Sequence, residues 1–90
     1  MAKANVDPTE LRRFARDLNR FNTDLEGLLG TLHSRLQGLE KNWNDQEQRR
    51  FMQEFEVTMK ALNRFLETSG QHVSFLMKKA QHVESYLNQR

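Results

Sequence analysis

Residues Leu39 to Gln48 read LEKNWNDQEQ and hold the single tryptophan of the chain, Trp43, in one of its most polar stretches. Asn42, Asn44 and Asp45 are turn formers, and Asp45 with Gln48 three positions on carries the signature of a helix N-cap. Leucine-rich sequence with a helical period runs up to this stretch, and phenylalanine-rich sequence with the same period starts just after it. A polar break at about 42–45 between two such runs predicts two antiparallel helices joined by a short connection.

Upstream, VDPTEL marks a helix start. Asp7 can cap, Pro8 falls at the first helical position, Glu10 stands where a capping-box acid belongs, and Val6 and Leu11 are placed as a hydrophobic staple. Leu11, Phe14, Leu18, Phe21, Leu25, Leu28, Leu32, Leu36 and Leu39 then follow at steps of three and four, with Leu29 on the same side. They share an arc of roughly 100°, so the first helix is expected over about 7–41, about 50 Å long. Gly27, Gly30 and Gly38 lie off this stripe and should weaken the helix by up to roughly 1 kcal/mol each.

Downstream, Phe51, Phe55, Met59, Leu62, Leu66, Ser69, Val73, Leu76, Ala80, Val83 and Leu87 form the stripe of a second helix, expected over about 46–88. Gly70, in ETSGQH, could divide it and give a three-helix bundle. Yet Leu66, Ser69, Val73 and Leu76 step 3,4,3 across the glycine, and a turn would normally reset that phase. One long helix, bent if anywhere near Gly70, is therefore expected.

A lone hairpin buries one side of each helix and encloses no core. The second helix is also apolar over the wider arc, because Met52, Met59 and Met77 flank its stripe and Phe75 stands well off it. That surplus calls for another surface. The expected fold is all-α: residues 1–90 form one antiparallel two-helix hairpin that dimerises into a four-helix bundle. Phe51, Phe55, Met59, Phe75, Lys79 and His82 are the candidates for the dimer or partner face. Phe75, Lys79, His82 and Tyr86 step 4,3,4 along one row well round from the seam, which places Tyr86 on a face the hairpin leaves exposed. At the tip, Trp43 can cover the end of the helix pair, and the same position offers a large aromatic for recognition.

Composition narrows the function classes. The chain has 90 residues, 29% charged and 37% hydrophobic, which is too apolar and too periodic for disorder. It has no Cys, so neither a disulfide framework nor thiolate chemistry is available. A formal charge of +2 is low for a protein that covers phosphate backbone. Arg12, Arg13, Arg16 and Arg20 do cluster, but Glu10, Asp17 and Asp24 are interleaved at helical pairing distance, which reads as a solvated face with internal ion pairs. No nucleic-acid partner and no membrane insertion are expected. The segment MAKANVDPTE lacks the apolar core of a secretory signal, so the protein is expected to be made in the cytoplasm and, if it leaves the cell, to do so without a cleaved signal peptide.

Chemistry finds no purchase in this sequence. His33, His72 and His82 lack the i,i+4 spacing that sets two ligands on one helix face, and Glu54 and Glu56 fall on different faces. No nucleophile has a patterned His and acid beside it, and there is no Gly-rich phosphate loop. No catalytic, metal or cofactor-binding residue is assigned, and enzyme function is not expected.

The chain resembles the small WXG-motif helical hairpins exported by type VII (early-secreted-antigen-like) secretion systems. The resemblance spans nearly the whole sequence: an acid-Pro opening before a Leu/Phe-striped helix, NWND at the midpoint, FMQEF in an aromatic second helix, and KKAQHVESYL near the end. It implies homo- or heterodimers built as four-helix bundles and export by a membrane ATPase. It also implies a composite export signal, the Trp-x-Gly turn together with a C-terminal Tyr-x-x-x-Asp/Glu. Trp43, Asn44, Asp45 and Tyr86 are the matching positions. Asp45 stands where the family has Gly, and the position four residues after Tyr86 is Arg90 where the family has an acid; Glu84 precedes the tyrosine and does not replace it. The function so implied is a small non-enzymatic secretion substrate or secreted adaptor acting through bundle formation. A homodimer is the first expectation, and a heterodimer with a related hairpin is the alternative. A different class, a cytosolic structural or chaperone-like protein that binds a larger helical partner, is the competing reading.

Overall fold

A computed structural model describes residues 6–88. Two α-helices account for nearly all of them, α1 over Pro8–Glu40 and α2 over Gln46–Asn88. They lie against each other as an antiparallel hairpin with principal extents of 69 × 23 × 13 Å. That is a ribbon two helices wide and one helix thick.

Short-range chemistry sets both helix starts. Asp7 adopts an extended backbone and its Oδ1 accepts from the Thr9 N–H at 2.9 Å, with Pro8 at the first helical position. Glu10 does not close the expected capping box; its Oε2 accepts instead from Arg13 Nη1 at 2.7 Å, a partner of opposite full charge one turn on. At the far end of α1, the N–H groups of Asn42 and Trp43 both donate to the Leu39 carbonyl, at 3.0 and 3.1 Å. Asp45 then caps α2: its Oδ1 accepts from the Gln48 N–H at 2.9 Å and its carbonyl from the Arg49 N–H at 3.3 Å. No described residue has a positive φ, so the turn needs no glycine at position 45. Gly70 does not divide α2, and the three-helix alternative does not form.

The seam is narrower than the sequence stripe, and it runs along a different edge. Besides Pro8 and Arg12, which are half-buried, the buried or half-buried positions of α1 are Leu11, Ala15, Leu18, Asn22, Leu25, Leu29 and Leu36. On α2, besides half-buried Gln48, they are Met52, Phe55, Met59, Leu62, Leu66, Ser69, Val73, Leu76, Ala80 and Val83, which alternate by three and four without interruption. Phe14, Phe21 and Leu28, expected in the α1 stripe, are 58%, 51% and 66% exposed. A two-helix seam holds only two rows of side chains. On α1 the second row is the one that contains Ala15, Asn22 and Leu29, each one residue after an expelled Phe or Leu. Small side chains at Ala15, Ser69 and Ala80 let the helices approach closely where a ring would hold them apart.

The small residues also locate the tight packing. Every buried residue among those described lies between Ala15 and Leu29 on α1 or between Ser69 and Val83 on α2. From residue 30 through residue 68 nothing is buried, although the seam there carries Leu36, Met52, Phe55 and Met59. The hairpin is closed at its open end and loose toward its turn. One polar pair interrupts the tight half: Ser69 Oγ donates to Asn22 Oδ1 at 2.8 Å, while Asn22 Nδ2 is buried without a hydrogen-bond partner.

Candidate functional site

The turn presents Trp43 on an aromatic stack. Its ring lies 5.7 Å from that of Phe51, tilted by 36°, and Phe51 stacks on Phe55 at 5.5 Å and 19°. One α2 turn separates Phe51 from Phe55, so the helix itself sets this ladder. Trp43 is half-buried and Asn44 exposed, while Asp45 is engaged as the cap of α2. Trp43 thus packs on the first turns of α2 and keeps part of its ring at the surface.

Tyr86 lies at the other end of α2 and is 73% exposed. Forty residues of continuous helix separate it from Gln46, about 60 Å at 1.5 Å per residue. Within one chain the structure does not bring the Trp43 turn and Tyr86 together. Phe75, Lys79 and His82 are exposed beside Tyr86, whereas Phe55 and Met59 sit half-buried in the seam. The candidate partner residues therefore fall into two separate sets, one at the turn and one near the open end.

The two broad faces of the ribbon differ in chemistry. Phe14, Phe21 and Leu28 each precede a buried residue of α1 and recur every seven positions, so they line one side of the seam. Phe65 of α2 meets them there, its ring edge-on to Phe21 at 6.2 Å and 88°. Phe51, Thr58, His72, Lys79 and Tyr86 continue the Phe65 row at the same seven-residue step. Half-exposed rings from both helices thus form one apolar face. Sequence reading missed this face on α1, because Phe14, Phe21 and Leu28 fit the inward stripe equally well by period.

The opposite face is polar at its open end. Arg12 forks onto Glu84, with Nη2 to Oε1 at 2.7 Å and Nη1 to Oε2 at 3.1 Å. Hydrogen bonding from Arg12, and then its charge, hold the Glu84 carboxyl below its ordinary range against a smaller opposing effect of desolvation. The bond to Glu84 correspondingly raises the Arg12 guanidinium. Neither partner was legible as a pair, since 72 residues separate them. Toward the turn the same face opens into a groove of about 670 Å³, with Leu29, Leu36, Met52, Phe55 and Met59 inside and Glu26, Glu40 and Glu56 along its edges.

Among the described residues there is no cluster of three metal-ligating side chains, and no helix is long and apolar enough to cross a membrane. Arg90, which stands where the resemblance implies an acid, lies outside the described residues.

The chain matches the family described as "WXG100: Proteins of 100 residues with WXG" over residues 3–86. No curated protein matches it significantly. Among solved structures it is similar to a mutant of EsxB, a secreted protein from Bacillus anthracis str. Sterne. The two superpose with a TM-score of 0.79 at 20% identity, over 100% of this chain and 99% of that one. At that identity the likeness speaks to the fold: EsxB and this chain share the two-helix hairpin.

Proposed function

The chain belongs to the WXG100 family, and from that premise we propose that it is a substrate or secreted adaptor of a type VII-like secretion system, acting through helical-bundle dimerisation. The observation that carries this reading is the apolar face of Phe14, Phe21, Leu28 and Phe65, which the hairpin cannot bury by itself. A second hairpin laid face to face covers those rings and completes a four-helix bundle. Each half-exposed ring or Leu so covered removes on the order of 100 Å² of apolar surface from water, about 2 kcal/mol. A second copy of this chain is the simplest partner, since both hairpins then present the same face.

The export role rests on Trp43 and Tyr86. Asp45 does the work of a turn residue through its cap, so Trp43 keeps its place beside Phe51 without the family's glycine. Tyr86 is exposed where a secretion ATPase could read it. Both side chains are largely dispensable for the hairpin seam. Trp43→Ala and Tyr86→Ala are therefore expected to reduce the extracellular fraction severalfold or more while the helicity stays that of the parent. Undiminished export of both variants from the native host would remove the signal assignment.

A further inference from the structure

We propose that the groove near the turn, on the face opposite the aromatic one, receives an amphipathic helix of a partner protein whose apolar stripe is flanked by Lys or Arg. The groove exists because the seam changes character along its length. At the open end, Ala15 and Ala80 are fully buried and the helices close on each other. Toward the turn the facing side chains are large and flexible, and Met52, Phe55 and Met59 stay half-buried around a space of about 670 Å³. Leu29 to Leu36 and Met52 to Met59 each span seven residues, about 10 Å of rise. That length accepts apolar anchors of an incoming helix at i, i+3 or i+4, and i+7. Methionine suits such a surface, since its unbranched side chain repacks around different shapes.

Charge identifies the occupant. Glu26, Glu40 and Glu56 stand along the groove, and among the described residues neither Glu26 nor Glu40 makes an ion pair. Lys60 is the one Lys or Arg among the lining residues, which also include His33, and it lies 3.9 Å from Glu56 with both side chains 68% exposed. A second copy docking here about a two-fold axis would set this acidic rim against itself, because an isologous contact pairs a patch with its own image. An anionic membrane surface would be repelled in the same way. A basic amphipathic helix meets both requirements, apolar side chains for the floor and cations for the rim. This docking leaves the aromatic face free, so it does not depend on the proposed self-association.

The test uses the full chain and two synthetic helical peptides of about sixteen residues with the same Leu stripe, one flanked by Lys and the other by Glu. Trp43 is the reporter: it is the only tryptophan, and its ring leads through Phe51 to Phe55 in the groove. The Lys peptide is expected to shift Trp43 emission saturably and to bind at least tenfold more tightly than the Glu peptide. The E26Q/E40Q/E56Q variant, whose changes leave the seam intact, should lose that preference. Sedimentation should show the peptide adding to the assembly the free protein already forms. Equal affinity for the two peptides, or no binding of the Lys peptide, overturns the proposal. So does dissociation of the protein's own assembly as the peptide binds, which would make the groove a contact between copies.

Discussion

Arg12 and Glu84 tie the start of α1 to the end of α2 through two parallel hydrogen bonds, the only side-chain ion pair among the described residues that crosses the hairpin. The other three pairs lie within one helix at i,i+3 or i,i+4 spacing. The Glu84 carboxyl in the folded chain titrates below its ordinary value, chiefly through the hydrogen bond from Arg12. The contribution of this fork is therefore fully present above the ordinary carboxylate range and is lost as pH falls through the lowered folded value. Glu84→Gln is expected to lower the thermal midpoint at pH 7, and the difference from the parent should shrink toward zero in strong acid. Thermal melts followed by circular dichroism at a series of pH values check this. A difference that is independent of pH would show that Glu84 acts through packing. The fork also engages the acid two residues before Tyr86, leaving Tyr86 without a carboxylate of its own turn to present.

At the scale of the helix, Gly70 interrupts nothing. A methyl group there would meet nothing within 4 Å beyond its chain neighbours and the backbone of its own helix turn, and the same holds for Gly27, Gly30 and Gly38. Within a helix such a glycine costs conformational entropy and returns no contact. Gly70→Ala should raise the unfolding free energy by roughly 0.5–1 kcal/mol, read from urea unfolding with an unchanged slope. A loss of stability would instead mean that some partner approaches the backbone at that position. The continuity of α2 was legible because the 3,4 phase passes through Gly70 unbroken, and both N-caps were legible because Asp7 and Asp45 act within three residues. The inward row of α1 was not. Leu11, Leu18 and Leu25 can be joined by either the i+3 row, Phe14, Phe21 and Leu28, or the i+4 row, Ala15, Asn22 and Leu29. Hydrophobicity favours the first and close approach of the helices favours the second. A buried Asn with Nδ2 unpartnered is a cost that hydrophobic patterning alone would never choose.

For the molecule as a whole, the choice of the i+4 row has a consequence for assembly. Turning Ala15, Asn22 and Leu29 inward places Phe14, Phe21 and Leu28 on the side where Phe65 stands, so a thin ribbon acquires one face rich in exposed rings. Without a partner, this 69 Å ribbon has no fully buried large side chain among the described residues, which is a meagre core for a chain of 90 residues. Phe14 and Leu28 are the cleanest probes, because they are 58% and 66% exposed and their removal leaves the seam intact. If the aromatic face is the dimer interface, Phe14→Ser with Leu28→Ser should raise the dimer dissociation constant by at least about a hundredfold, while the helices remain formed at high concentration. Sedimentation equilibrium over a wide concentration range, with helicity recorded in parallel, gives both quantities. An unchanged dimer would move the interface off this face, and a well-folded parent monomer at all concentrations would remove it. A double variant that unfolds on dilution while the parent dimer persists would show that the second hairpin supplies the core the first one lacks.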